Sequence, residues 1–311
     1  MTALTSPDGT PASRYAFGTM QFGGKADLAA STGMFEAAIE AGITHFDTAH
    51  LYTEGQSEEI LGARAAPERA RLVIATKIGY RPGTDAGRLR AELDLSLSRL
   101  KMDCVDILYL HRHDPGIPLE ERLAVLAELK EAGRIRYIGL SNFAAWQVMK
   151  ADRLLRGMGH RVDVIQPMYS LVKRQAEVEL LPMCASEGIA CATYSPLGGG
   201  LLSGKYLEGA ASGRLAEDPR YAARYAPAFM HDTARALAGI ASELGLHPAT
   251  LACAWIAAHP ARPVPILSAS APEQLAPSLA ALRFDMDKEL YERLSGLSPA
   301  PPPATDRIEE Q

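Results

Sequence analysis

The chain has 311 residues, 47% of them apolar, and a formal net charge of −5 from 32 basic and 37 acidic side chains. That is enough apolar material for one large core, with no basic block of the kind that grips nucleic acid. No apolar run reaches the roughly 18 residues that a membrane-spanning helix needs, and the N-terminus lacks a basic region followed by an apolar one, so no export signal and no membrane partner are expected.

In chain order, eight short apolar runs read as strands: 15–19, 44–47, 72–77, 105–111, 137–141, 164–167, 190–195 and 264–267. Their near-continuous apolar character suits parallel strands covered on both faces. Between them lie amphipathic segments at 28–41, 88–100, 119–132, 144–156, 175–187, 233–244 and 248–258. Gly42, Gly133, Gly188 and Gly245 follow four of these as C-terminal stops. Strands alternating with helices predict a single-domain (β/α)8 TIM barrel. A doubly wound open sheet is disfavoured because no G-x-G-x-x-G follows the first run. Two tails, 1–13 and 299–311, are expected to be ordered only in part. A long connection, 196–230, rich in Gly, Ala and Arg, follows the seventh strand, and loops of that length are usually functional or mobile. The cysteines Cys104, Cys184, Cys191 and Cys253 form no C-x-x-C pair and no zinc-spaced cluster. They read as reduced thiols of a cytoplasmic protein without a metal site.

Residues at the C-terminal ends of barrel strands line the active site of such folds. Asp47 ends the second run, Lys77 the third and His111 the fourth, while Tyr52 lies in the loop after Asp47. An ammonium buried beside a carboxylate stabilises phenolate, and burial alone pushes the phenol the other way. The expectation is that Lys77 outweighs burial and tunes Tyr52 below its ordinary value of about 10. A donor so poised can protonate an oxygen on which charge develops, with His111 orienting that oxygen. None of the four is a hydride source, so a reduction needs a cofactor.

The segment FDTAHLYTEGQSEEILG resembles the D-T-A-x-x-Y-x-x-G-x-S-E-x-x-L-G signature of aldo-keto reductases. IATK, LYLHR, GRIRYIGLSNF, VIQPMYS and YSPLGGGLLSGKY follow in that family's order, so the resemblance covers about residues 17–282. It implies a barrel binding NADP(H) or NAD(H) across its mouth, with Asp47, Tyr52, Lys77 and His111 as the catalytic tetrad. It also implies cofactor contacts from Thr19, Asp47, Ser141, Asn142, Gln166, Tyr194, Ser195, Leu197, Gly199 and Lys205. Asn and Gln suit the carboxamide, since each offers a donor and an acceptor. The eighth strand departs from the family. Ser268, Ser270, Gln274 and Ser278 stand where basic side chains usually hold the NADP 2′-phosphate, which predicts weaker discrimination against NAD. Arg214 and Arg262 are candidates to compensate. Substrate selection is assigned to Met20, Phe22, His50, Leu51, Arg112, His113 and Tyr169.

The activity so implied is NAD(P)H-dependent reduction of an aldehyde or ketone to an alcohol. The alternatives are NAD-dependent oxidation of a sugar or alcohol and, in another class, a cofactor-binding regulatory subunit similar to potassium-channel β subunits. The expected partners are a small carbonyl or sugar substrate and, at most, a weak homo-oligomer.

Overall fold

Eight parallel strands close into a barrel in chain order in a computed structural model that describes residues 2–207, 209, 212–307 and 309. They are β1 (Ala16–Gly18), β2 (His45–Asp47), β3 (Val73–Ile78), β4 (Val105–Leu110), β5 (Ile135–Ser141), β6 (Val164–Gln166), β7 (Ala190–Thr193) and β8 (Val264–Leu267). Ala16 pairs with Ile266 and Phe17 with Leu267, so the sheet returns on itself and leaves no open edge. Around it run α1 (Leu28–Glu40), α2 (Gln56–Ala65), α3 (Ala86–Leu100), α4 (Leu119–Glu131), α5 (Ala145–Gly157) and α6 (Leu180–Glu187). The connection after β7 carries α7 (Arg214–Glu217) and α8 (Pro219–Arg224) before α9 (Ala228–Glu243) and α10 (Pro248–Ala258). α11 (Pro272–Ala280) and α12 (Lys288–Ser295) follow β8. The expected (β/α)8 barrel is the observed fold.

Local chemistry sets the element ends. Asp27, Asp85 and Asp287 cap α1, α3 and α12 by accepting backbone N–H bonds. Gly42, Gly133, Gly188 and Gly245 all sit at positive φ just past helix ends. The segment expected as one helix from 175 to 187 is instead a short 3-10 turn followed by α6. Pro182 has no N–H to donate and fits only the first turn, so the helix starts at Leu180. The seventh strand ends at Thr193, which puts Tyr194 and Ser195 in the loop beyond it.

Inside the barrel, Val73, Ala75, Ile107, Tyr109, Val164 and Ala190 make a packed core. Tyr109 fits because residue 139 is glycine; a Cβ there would lie 2.4 Å from the Tyr109 ring. The N-terminal segment lies across the barrel floor. Leu4 and Ala12 pack on the interior core, Thr2 N donates to Gly188 O at 2.7 Å, and Thr5 N donates to Tyr137 Oη at 3.1 Å. At the other end of the chain, Trp255 Nε1 donates to Ser295 Oγ at 2.8 Å and Arg174 to Ser295 O at 2.7 Å, which docks α12.

Helical periodicity does not reveal α2, because its inward face carries polar Ser57 and Glu58, both fully buried. Thr76 Oγ1 donates to Glu58 Oε1 at 2.7 Å, and Arg99 of α3 pairs with the other oxygen at 3.3 Å. Gly62 lets α2 meet α3, since a Cβ there would stand 2.2 Å from the Leu100 carbonyl oxygen. Backbone cannot yield as a side chain can. Gly62→Ala should therefore cost about 1–3 kcal/mol, read as a lower urea midpoint with unchanged slope.

Candidate active site

The strand ends deliver the expected residues to one place. Lys77, 1% exposed, donates to Asp47 Oδ2 at 2.5 Å, to Thr48 O at 2.6 Å and to Tyr52 Oη at 3.4 Å. All three ammonium hydrogens are thus used. Asp47 Oδ1 accepts from Gln166 Nε2 at 2.8 Å. Lysine can only donate, so the phenol oxygen is the acceptor and its own hydrogen is not used by Lys77; Tyr52 lines the cavity. The His111 ring stands edge-on to Tyr52 with centroids 6.1 Å apart, and His111 Nδ1 is buried with no partner in the protein.

The loop holding Tyr52 is strained. Thr53 (φ 48°) and Glu54 (φ 56°) are left-handed, and Gly55 follows at φ 100°. Thr53 Oγ1 holds the turn by donating to Phe22 O at 2.7 Å and accepting from Ser57 N at 3.0 Å. Ser57 Oγ in turn bonds the hydroxyls of Thr19 (2.8 Å) and Thr48 (2.9 Å). The polar signature residues are therefore the scaffold of this one loop.

Burial is the larger influence on the Tyr52 phenol and holds it above the ordinary tyrosine value, with the Lys77 ammonium opposing. The expectation that Lys77 outweighs burial is corrected. Lys77 itself, despite burial, is held above its usual value by Asp47 and Tyr52. Burial pushes His111 down to about 3, helped by Lys77 and Arg112, so its ring is neutral.

Above the tetrad, a cavity of about 1280 Å³ runs along the mouth. Asn142 (φ 59°) donates to His111 O at 2.9 Å and Ser141 Oγ at 3.0 Å, and it accepts from Tyr194 Oη at 2.6 Å. It does not cap α5, whose Ala144 N bonds Gln147 Oε1 at 2.8 Å instead. Ser195, Leu197, Gly199 and Lys205 line the cavity wall, and Ser268, Ser270 and Gln274 its far end. Ser268 Oγ is buried without a partner, and Gly199 and Gly200 present bare backbone at positive φ.

Several expected residues lie elsewhere. Thr19 is fully buried behind the wall, bonded to Asp47 O and Ser57. Phe22 is core, 5.7 Å from Phe17 ring to ring. Ser278 is buried on the inner side of α11 and not on the cavity. Tyr169 packs against Trp255, His113 against Phe143, and His50 bonds Ser96 at 3.2 Å. Arg262 precedes the N-terminal end of β8, at the floor of the barrel. Met20, Leu51 and Arg112 do line the cavity.

The sequence reading missed Tyr80, Glu273 and a set from the long connection: Glu217, Asp218, Arg220, Tyr221 and Arg224. The available signal was the run RYAARY at 220–225.

The chain matches the model of the Aldo/keto reductase family over residues 14–299. It is 32% identical to a Bacillus subtilis protein named uncharacterized oxidoreductase YrpG, over 94% of each chain. It is 40% identical to human aflatoxin B1 aldehyde reductase member 4, over 61% of this chain and 59% of that protein. It is also 33% identical to a probable voltage-gated potassium channel subunit beta of Oryza sativa subsp. japonica, over 84% of each. The chain belongs to the aldo/keto reductase family, and it is an NAD(P)-dependent oxidoreductase. No helix among the described residues is long and apolar enough to cross a membrane, and they hold no cluster of His, Cys, Asp or Glu able to bind a metal.

A neutral His111 and a phenol held high fix the sign of the pH dependence. Were the Tyr52 phenol to act as a general acid, rate would be lost as pH rises through its pKa. Turnover of NAD(P)H with a carbonyl should be level from roughly pH 5 to 9 and fall only above the ordinary tyrosine value of about 10. A limb near the usual histidine value of about 6.5 in kcat/KM would show that His111 titrates.

Proposed function

We propose that the protein reduces an aldehyde or ketone to an alcohol, with Tyr52 as the proton donor. The observation that carries this reading is the buried Asp47–Lys77–Tyr52 chain, which ends at a phenol lining the cavity. The donor set fits a nicotinamide dinucleotide. Amides and hydroxyls (Ser141, Asn142, Gln166) lie near the tetrad, and the aromatic Tyr194 stands beside them. Bare glycine backbone with Lys205 suits a pyrophosphate, and the unpartnered Ser268 hydroxyl lies further along. When bound, the reduced nicotinamide supplies the two electrons and the hydrogen that the carbonyl carbon gains.

The chain's own residues do the rest. His111, neutral, donates a hydrogen bond to the carbonyl oxygen and fixes its position. Tyr52 Oη passes its proton to that oxygen as negative charge builds there. Lys77 lowers the cost of the phenolate left behind, and Asp47 with Thr48 O keeps the ammonium in place. A phenol that stays protonated through neutral pH is an acid rather than a base, which favours reduction over alcohol oxidation. The regulatory-subunit reading requires negligible turnover, so a screen of NADH and NADPH oxidation against a carbonyl panel separates the two.

Tyr52→Phe keeps the ring and removes the proton. It should lower kcat by about 10²- to 10⁴-fold while dinucleotide still quenches protein fluorescence. Near-full turnover in this variant would sink the assignment.

For the nucleotide, the far end of the cavity favours loose selection. Ser270 Oγ bonds Gln274 Oε1 at 2.9 Å, and the neighbouring side chain is the acid Glu273. A 2′-phosphate there would forgo charge-assisted bonds of about 1.5–3 kcal/mol each. NADH and NADPH should give kcat/KM values far closer than a thousandfold preference for NADPH, the ratio expected, to order of magnitude, from two such bonds. A preference of about that size would mean that Arg214 or Lys205 supplies the missing grip.

A further inference from the structure

We propose that the carbonyl substrate carries a carboxylate and that Arg112 receives it; this rests on the reductase reading above and adds the class of substrate. Arg112 follows His111 directly and lines the same cavity. Its guanidinium lies 5.3 Å over the Tyr80 ring. Tyr80 sits 4.9 Å from the His111 ring, itself 6.1 Å from Tyr52. The cation thus ends a continuous wall of rings that begins at the proton donor. A cation–π contact consumes no N–H donor, so the guanidinium keeps its donors for a planar acceptor.

The described residues provide no such acceptor. Among the described residues, no carboxylate pairs with Arg112 and no side chain accepts a hydrogen bond from it. Arg112 Nε is closed off from solvent with nothing to donate to. Asp114, two residues on, is already committed, accepting from Gly83 N at 2.7 Å and Gly116 N at 3.0 Å. Two other cations at the mouth are held by carboxylates, while Lys205 and Arg214 lie over the Tyr206 and Tyr221 rings on the long connection and do not adjoin His111. Lys25 pairs with Glu217, and Arg220 grips Asp218 with two bonds of 3.1 and 2.8 Å. Arg224 stacks 5.1 Å over Tyr221 at an exposed position. An unsatisfied buried donor is costly, and a fork of N–H groups matches a carboxylate edge to edge. A carboxylate presents two oxygens in one plane, which matches the guanidinium fork beside His111.

The test compares benzaldehyde with 3- and 4-carboxybenzaldehyde on the full chain with NADH or NADPH. At least one carboxylated isomer should exceed benzaldehyde in kcat/KM by about tenfold or more, chiefly through KM. Arg112→Met should cut that carboxylate-to-neutral ratio by about 10- to 100-fold, and Arg112→Lys should restore part of it. Should the methionine variant fail to fold, the wild-type preference and the lysine variant decide. An unchanged ratio in Arg112→Met, or benzaldehyde turned over with no gain from a carboxylate, overturns the assignment while leaving the reductase reading intact. Absence of turnover with every aldehyde defeats the reductase reading and this inference with it.

Discussion

One buried ammonium organises the working end of this barrel. An unpaired Lys77 would be expensive to bury. The fold resolves this by surrounding it with a carboxylate, a main-chain carbonyl and a phenol, one acceptor for each hydrogen. Breaking such a pair by deleting one partner typically costs about 3–5 kcal/mol. The same contacts that make the site chemically useful therefore also bind β2, β3 and the Tyr52 loop to one another. Gln166 extends the network to β6 through Asp47 Oδ1, across the barrel.

Much of this could be read from the chain because strand ends are where a parallel barrel exposes side chains. Asp47, Lys77 and Gln166 each close an apolar run, and His111 follows one directly, so their convergence follows from topology alone. Loop and helix positions were harder. Met20 reaches the cavity while Phe22, two residues on, turns into the core beside Phe17. That difference is set by a tight turn, Phe22 N to Thr19 O at 2.9 Å, which has no periodic signature. Gln274 and Ser278 lie one helical turn apart in α11, yet only the first stands at the rim; the second is buried by Cys253 of α10. The cavity wall from Glu217 to Arg224 was illegible for another reason. It belongs to short helices in a long connection, where neither period two nor period 3.6 runs long enough to assign a face.

The balance on Tyr52 shows where charge counting falls short. Placing a lysine beside a phenol suggests a weakened proton, but the site that brings them together also removes water from the phenol, and that influence is the larger. In the proposed reduction the two effects would act at different moments. Desolvation would keep the proton on Tyr52 until substrate arrives. The ammonium would count most as the proton leaves, when a phenolate would form within its reach. A site arranged this way would hold its acid ready over the whole neutral range.

Backbone strain follows the same division. Of the non-glycine residues with positive φ among those described, Thr53, Glu54, Asn142 and Ser195 all stand at the barrel mouth, on three different loops. Such conformations cost about 1–3 kcal/mol each. They persist because each loop is fixed from outside itself. Arg99 of α3 bonds the Glu54 carbonyl at 3.3 Å, and Asn142 is tied to His111 and Tyr194. The strained turns aim Tyr52, the Asn142 amide and the segment after Tyr194 at one volume, which regular strand or helix geometry at those positions would not do. The aim depends on buried polar partners that touch no substrate, above all Glu58 and Ser57. That is a physical reason for the signature to be longer than the chemistry it serves.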